Sequence, residues 1–163
     1  MRRFFDNNRG LSLIELVVTM VILGILASLI LPSARMTSVR VKEIELKRNL
    51  REVRSAIDDY KKNYDRAVDE GKIPKVVNKY GYPETLKVLV EGYDFGGLLN
   101  YKKKFLRRVP GDPFHPVKGD EPPWGLRSSV DAPDSNSWGG EDVFDVYSLS
   151  DGTAIDGTKY KDW

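Results

Sequence analysis

Apolar positions along this chain follow three rhythms. From Leu11 to Leu31 they are nearly continuous, broken only by Ser12, Glu15, Thr19, Gly24 and Ser28. That run is about 21 residues, or roughly 32 Å as a helix, close to the hydrocarbon thickness of a bilayer. Further on, apolar or aromatic residues recur in steps of four and three at Leu46, Leu50, Val53, Ile57, Tyr60 and Tyr64. This is one face of a helix, and Lys42, Glu45, Arg48, Glu52 and Asp59 occupy the opposite face. Together the two rhythms predict a long N-terminal helix from about Leu13 to about Asp69. Pro32 falls inside it and removes a hydrogen bond, so the helix is expected to bend there; an ordinary helix end at Pro32 is the alternative.

The third rhythm is short and strand-like. Gly71-Lys72-Ile73-Pro74 ends the long helix, and Tyr82-Pro83-Glu84 opens a short one, Glu84 to Glu91, with Pro83 suited to its first turn. Phe105–Val109 and Trp124–Ser128 read as short strands, the first stopped by Pro110-Gly111-Asp112-Pro113. Val143–Leu149 alternates and is the clearest strand in the chain. Residues 92–97 and 131–140 are loops, and the tail carries Asp-Gly twice, at Asp151-Gly152 and Asp156-Gly157. The expected fold class is α+β: one long helix and a small antiparallel β-sheet with a C-terminal loop. The expected organisation is a leader at 1–10, an apolar helix at 11–32 and a head at 33–163, whose amphipathic half-helix is 33–69 and whose α/β region is 70–163.

Charge sharpens the N-terminal reading. The whole chain carries net charge +2. The leader's Arg2, Arg3 and Arg9 against Asp6 account for it, so the remainder is balanced and is not a polycation that would hold nucleic acid. Basic residues before the apolar run place the N-terminus in the cytoplasm and the head outside. The chain has no cysteine, which excludes disulfides, thiol catalysis and cysteine-ligated zinc. Three readings of the apolar run compete. A cleaved secretory signal has a shorter apolar core, although Ala27-Ser28-Leu29 and Ser33-Ala34 mimic its cleavage site. A plain membrane anchor explains the length but leaves Glu15 idle, and a carboxylate in hydrocarbon costs a few kcal/mol. A segment that sits first in the bilayer and later in a protein assembly gives Glu15 a task.

Gly10-Leu11-Ser12-Leu13-Ile14-Glu15 resembles the prepilin peptidase site of type IV pilins and type II secretion pseudopilins. The resemblance implies a cut between Gly10 and Leu11 and methylation of the new N-terminus at Leu11; phenylalanine or methionine is commoner there, so Leu11 departs mildly from the pattern. It also implies that Glu15 of one subunit neutralises the Leu11 ammonium of another, two buried charges being tolerable only as a pair. The family commonly has a proline at the position of Pro32, where the helix bends on assembly. Within the head, Tyr82-Pro83-Glu84 with Leu86 and Leu89 is similar to the major type II secretion pseudopilin, as are Phe105–Phe114, Asp145–Gly152 and the terminal Trp163. The absence of cysteine fits, since type IV pilins usually close their C-terminal loop with a disulfide.

The same resemblance implies calcium as a cofactor of the C-terminal loop, with Asp151, Asp156 and the Leu149 carbonyl as ligands. Calcium takes six to eight oxygens, usually with several carboxylates. The places where the family has a further acidic pair hold Thr158, Lys159 and Tyr160 here. Two alternatives to the metal therefore stand: a loop of two hydrogen-bonded Asp-Gly turns, or Lys159 supplying the positive charge by pairing with Asp151 or Asp156.

Other residues read as structure. His115 is the only histidine, lacks partners at catalytic spacing, and sits in Asp112-Pro113-Phe114-His115-Pro116, a rigid turn. Lys102-Lys103-Lys104 with Arg107 and Arg108 is a solvated face, or it meets an acidic patch on a neighbouring copy such as Glu43, Glu45 or Asp58. The resemblance implies a non-enzymatic subunit of a periplasmic pseudopilus. Its implied partners are further copies of itself, the prepilin peptidase, an inner-membrane assembly platform, minor pseudopilins and, before assembly, the membrane. A surface fibre for adhesion, motility or electron transfer is the alternative in the same class; a membrane-anchored periplasmic enzyme or binding module is the alternative outside it.

Overall fold

The computed structural model describes residues 10, 12–76, 80–117 and 123–163, without the side chains of residues 29–35. The expected Pro32 bend therefore falls outside the described side chains. The structure divides into two compact units, one ending at Arg40 and one spanning Val41–Trp163. Helix α1, Leu13–Asp69, contributes to both.

In the N-terminal unit, α1 starts where a cap allows it. Ser12 Oγ accepts the Glu15 N–H at 3.2 Å, satisfying one of the free donors of the first turn. Thr19 and Ser28 donate their hydroxyls to the carbonyls of Leu16 and Ile25, at 2.9 and 2.7 Å. The hydroxyls of Ser12, Thr19 and Ser28 are thus satisfied within the helix's own backbone.

At its other end α1 stops on Gly71, whose φ of 68° is the left-handed conformation that suits glycine. The Gly71 N–H donates to Val68 and the Lys72 N–H to Ala67, the paired bonds of a Schellman cap.

In the second unit, the predicted apolar stripe is the core side of α1: Leu46, Leu50, Val53, Ile57 and Tyr60 are all buried. They pack on Leu89, Phe95, Leu106, Trp124, Val143 and Val146. Each such aliphatic side chain contributes about 1.5–3 kcal/mol on burial. The Tyr60 ring lies 5.2–5.5 Å from those of Tyr93, Phe95 and Phe105, an aromatic cluster that closes this end of the core.

Helix α2 is Leu86–Glu91, shorter than the predicted Glu84–Glu91. Pro83 is not in its first turn, because the Pro83 carbonyl accepts the Val143 N–H at 2.8 Å and so belongs to the contact with the strand region. The expected strand at Phe105–Val109 does not form. The Phe105 and Leu106 N–H groups both donate to the Leu89 carbonyl, at 2.9 and 3.0 Å, so the donors a strand needs are used by the exit of α2. The other two strands form in shortened versions, β1 at Gly125–Arg127 and β2 at Asp145–Tyr147. They pair antiparallel with Gly125 opposite Tyr147 and Arg127 opposite Asp145. A Cβ on Gly125 would collide with the Tyr147 ring, so any larger residue there requires that ring to move. The fold is α+β, a long N-terminal helix packed on a small two-stranded antiparallel sheet.

Candidate functional site

Two sets of residues were singled out in the sequence, and they lie in different units. Gly10 is exposed and outside regular structure, with open space where a side chain would stand. Leu11, the other processing residue, lies outside the described residues. Glu15 sits in the first turn of α1, exposed among exposed Leu13, Ile14, Leu16, Val17 and Val18. Ser12 and Glu15 have the spacing of a capping box, yet only half of it is made: Ser12 accepts the Glu15 N–H, while the Glu15 carboxylate has no hydrogen bond or ion pair among the described residues. In an apolar medium that carboxylate requires a counter-ion that the described residues do not supply. Among the described residues no helix is long and apolar enough to cross a membrane. The side chains described in the apolar half end at Ser28, short of the roughly 20 residues a span needs.

The second set is the C-terminal loop. Asp156 and Gly157 occupy a tight hairpin: Ala154 N–H donates to Thr158 O at 2.8 Å, Gly157 N–H to Ala154 O at 3.0 Å, and Thr153 bridges Lys159 through the backbone. Asp156 Oδ1 accepts the Thr158 hydroxyl at 2.6 Å and the Thr158 N–H at 3.0 Å, and these two bonds hold its carboxyl below the usual aspartate range. The side chain of Asp151 is exposed and bonded to nothing among the described residues. Lys159 forms no ion pair with either aspartate among those residues, so the pairing considered for it is not made. No group of three His, Cys, Asp or Glu side chains among the described residues converges to hold a metal. One aspartate oxygen is committed to Thr158, and Asp151, Asp156 and Asp162 do not converge among the described residues, so the loop as folded here presents no calcium cage.

What closes the loop is a set of residues whose role there no local pattern in the sequence predicts. Glu43, Lys47 and Arg54 are four and seven positions apart, one stripe of α1 beside the apolar face. Glu43 Oε1 accepts the Ile155 N–H at 2.8 Å and the Tyr160 hydroxyl at 3.1 Å. The Lys47 ammonium lies 4.0 Å from the Trp163 ring centroid, a cation–π contact. Arg54 donates to both oxygens of Asp145, to the Val146 carbonyl at 2.9 Å and to the Trp163 carbonyl at 2.7 Å. Tyr160 stacks on Phe114 with centroids 4.1 Å apart and meets Trp163 edge-on, while the Trp163 indole donates to Thr158 Oγ1 at 2.7 Å. Burial, and then the Glu43 carboxylate it donates to, push the Tyr160 phenol up to about 12. Since Glu43 is engaged in this way, its carboxylate is not the free acid considered as a docking point for a neighbour's basic cluster.

Two buried aspartates tie the neighbouring loops. Asp112 accepts the Phe114 and His115 N–H groups and, at 2.5 Å, the Ser148 hydroxyl. The predicted rigid turn at His115 is thus an aspartate-capped turn. Asp142 accepts both hydroxyls of Ser128 and Ser129 and the Ser129 N–H. These carboxylates are consumed by the fold and are not presented to solvent.

Comparison with known proteins adds the following. Residues 5–31 match the family model described as the prokaryotic N-terminal methylation motif. The chain is similar to the type IV major pilin protein PilA of Myxococcus xanthus, 37% identical over 84 residues, 49% of this chain and 38% of that protein. It is also similar to type II secretion system core protein G of Escherichia coli, 29% identical over 117 residues, 69% of this chain and 70% of that protein. The same core protein of Pectobacterium carotovorum subsp. carotovorum is 29% identical over 110 residues, 66% of this chain and 63% of that protein. The chain therefore spans less than two thirds of the Myxococcus and Pectobacterium relatives. No solved structure matches it significantly.

Proposed function

From the premise that this chain belongs to the type IV pilin-like superfamily, which includes the pseudopilins, we propose that it is the subunit of a periplasmic pseudopilus serving a type II protein secretion system. The prepilin peptidase cuts between Gly10 and Leu11, and Leu11 is methylated. The mature subunit is anchored in the inner membrane through residues 11–32, with its head in the periplasm. An assembly platform in that membrane, with minor pseudopilins, extracts it into a helical filament. Its role is mechanical, not catalytic.

The observation that carries self-assembly is the Glu15 carboxylate, set in an apolar first turn without a partner among the described residues. Processing creates an ammonium group four residues earlier, at Leu11. Within one copy the positive end of the α1 dipole disfavours that ammonium. Between copies, one Glu15 and one Leu11 amine neutralise each other, which sets the axial register of adjacent helices. Glu15 thus has a purpose only in a multi-copy structure.

The pseudopilus is favoured over other fibres by the length of the similarity to core protein G, which runs through 69% of this chain. The higher identity to PilA over 84 residues favours a surface fibre as the second reading. Mass spectrometry of the mature N-terminus and electron microscopy of the Glu15→Leu variant test the assembly reading together. The expected results are a methylated Leu11 terminus, and for the variant a processed chain without filaments. An uncut chain, or normal filaments from Glu15→Leu, refutes it. Shearing intact cells separates the two fibres: the subunit should stay with the cell envelope, and its release with surface filaments would favour the second reading.

A further inference from the structure

The head contains a cavity of about 480 Å³ whose walls are largely tyrosine: Tyr60, Tyr64, Tyr80, Tyr82 and Tyr93. Glu84 and Glu141 also line it, as does Asp142, whose oxygens are engaged by Ser128 and Ser129, and no Lys, Arg or His does among the described residues. The site of assembly discussed above does not use it. Its size is that of a ligand site, and its chemistry is that of an aromatic cage with an acidic rim, which favours an organic cation. The molecule already shows the preference at the edge of the cavity, where the Lys61 ammonium lies 5.7 Å from the Tyr82 ring centroid. Burial raises the Tyr82 phenol, the Lys61 ammonium pulls it down, and Asp58, Asp65 and Asp142 push it up.

The same head presents cations that no described residue satisfies. Arg107 and Arg108 are exposed and make no hydrogen bond, ion pair or ring contact among the described residues. They border α1 along Glu52, Ser55, Ala56 and Asp59, and this surface shares no lining residue with the tyrosine cavity. Two complementary patches at different places on one subunit make a head-to-tail contact, the kind that builds an open helical filament.

We propose that the tyrosine cavity of one head receives the guanidinium of Arg107 or Arg108 from a second copy of this chain. The proposal rests on the assembly reading above and adds a contact between heads to the Glu15 contact between helices. It also replaces Glu43 as the acidic target of the basic cluster.

Charge exchange in the full chain tests it. Reversal of the arginines (Arg107→Glu with Arg108→Glu) and reversal of the rim (Glu141→Arg) should each lower the amount of sedimentable filament about tenfold, and the combination should restore it. A combination no better than the single reversals overturns the proposal, as does filament unchanged by either. A probe arm reads the cavity without filaments: methylguanidinium is titrated into the full chain in detergent and followed by tyrosine fluorescence. Saturable binding that weakens about tenfold in Tyr82→Leu is expected, and no binding overturns the proposal. If the unaltered chain forms no filament, the assembly reading fails. Probe binding in that case would assign the cavity to a free organic cation and overturn the second copy as its source.

Discussion

The guanidinium of Arg54 ties α1 to both β2 and the C-terminal loop, and its removal should be visible. In Arg54→Ala four hydrogen bonds are lost: two to Asp145, the shorter at 2.7 Å, one to Val146 O and one to Trp163 O. A hydrogen bond to a charged group is worth about 1.5–3 kcal/mol, but these are not additive because they share one donor group. The Arg54 side chain is 36% exposed, so solvent screens the ion pair and its share is discounted. Asp145 also keeps a second cation, Arg127 Nη1, at 3.5 Å. The net cost is therefore about 2–3 kcal/mol, which for a unit of this size lowers the melting temperature by roughly 6–12 °C. Near-ultraviolet circular dichroism of the full chain in detergent would follow the loss, because Trp163 is held by Arg54 and Lys47 together. Arg54→Lys should recover less than half, since an ammonium cannot fork to the carboxylate and two carbonyls at once. A fall of under about 2 °C in Arg54→Ala, or full rescue by lysine, would show that the loop is held by other contacts and that this account of it is wrong.

Two further outcomes test the same loop. Tyr160 is an acid whose folded pKa, about 12, lies above its unfolded value of about 10, so the stability it brings is complete below pH 10 and is lost as pH rises from there to 12. In a spectrophotometric titration Glu43→Gln should bring that phenol down towards the ordinary range, and an unmoved titration would remove Glu43 as a cause. Melting in excess calcium and in excess chelator should give the same temperature for the full chain; a rise in calcium that disappears in Asp151→Asn with Asp156→Asn would restore the metal site.

How much of this was legible in the sequence depended on how far apart the interacting residues are. Helix α1 was readable to its ends, because a stripe such as Leu46, Leu50, Val53 and Ile57 is a local pattern with one geometric meaning. The strands were readable only in kind. β2 and β1 shrank, and Phe105–Val109 never paired, because the carbonyl of Leu89 took two N–H groups that local alternation assigned to a ladder. The capping role of Ser12 was legible in its spacing from Glu15.

The C-terminal loop was illegible for a stronger reason. Its fasteners are separated from their partners by 109 residues for Arg54 and Trp163 and 117 for Glu43 and Tyr160, and no local pattern carries such a pairing. The substitutions in it were nonetheless informative once the partners were known. Thr158, Lys159 and Tyr160 stand where relatives are expected to have acidic residues, and read alone they look like lost ligands. In the structure, Thr158 binds Asp156 and the Trp163 indole, and Tyr160 donates to Glu43 and stacks on Phe114. Lys159 contributes only its backbone, in the bridge to Thr153. The residues that make the loop a poor metal site are thus the same ones that close it by direct contact. A change of Thr158 and Tyr160 to acids would therefore remove the present fastening, because the bonds to Asp156, Trp163 and Glu43 would be lost.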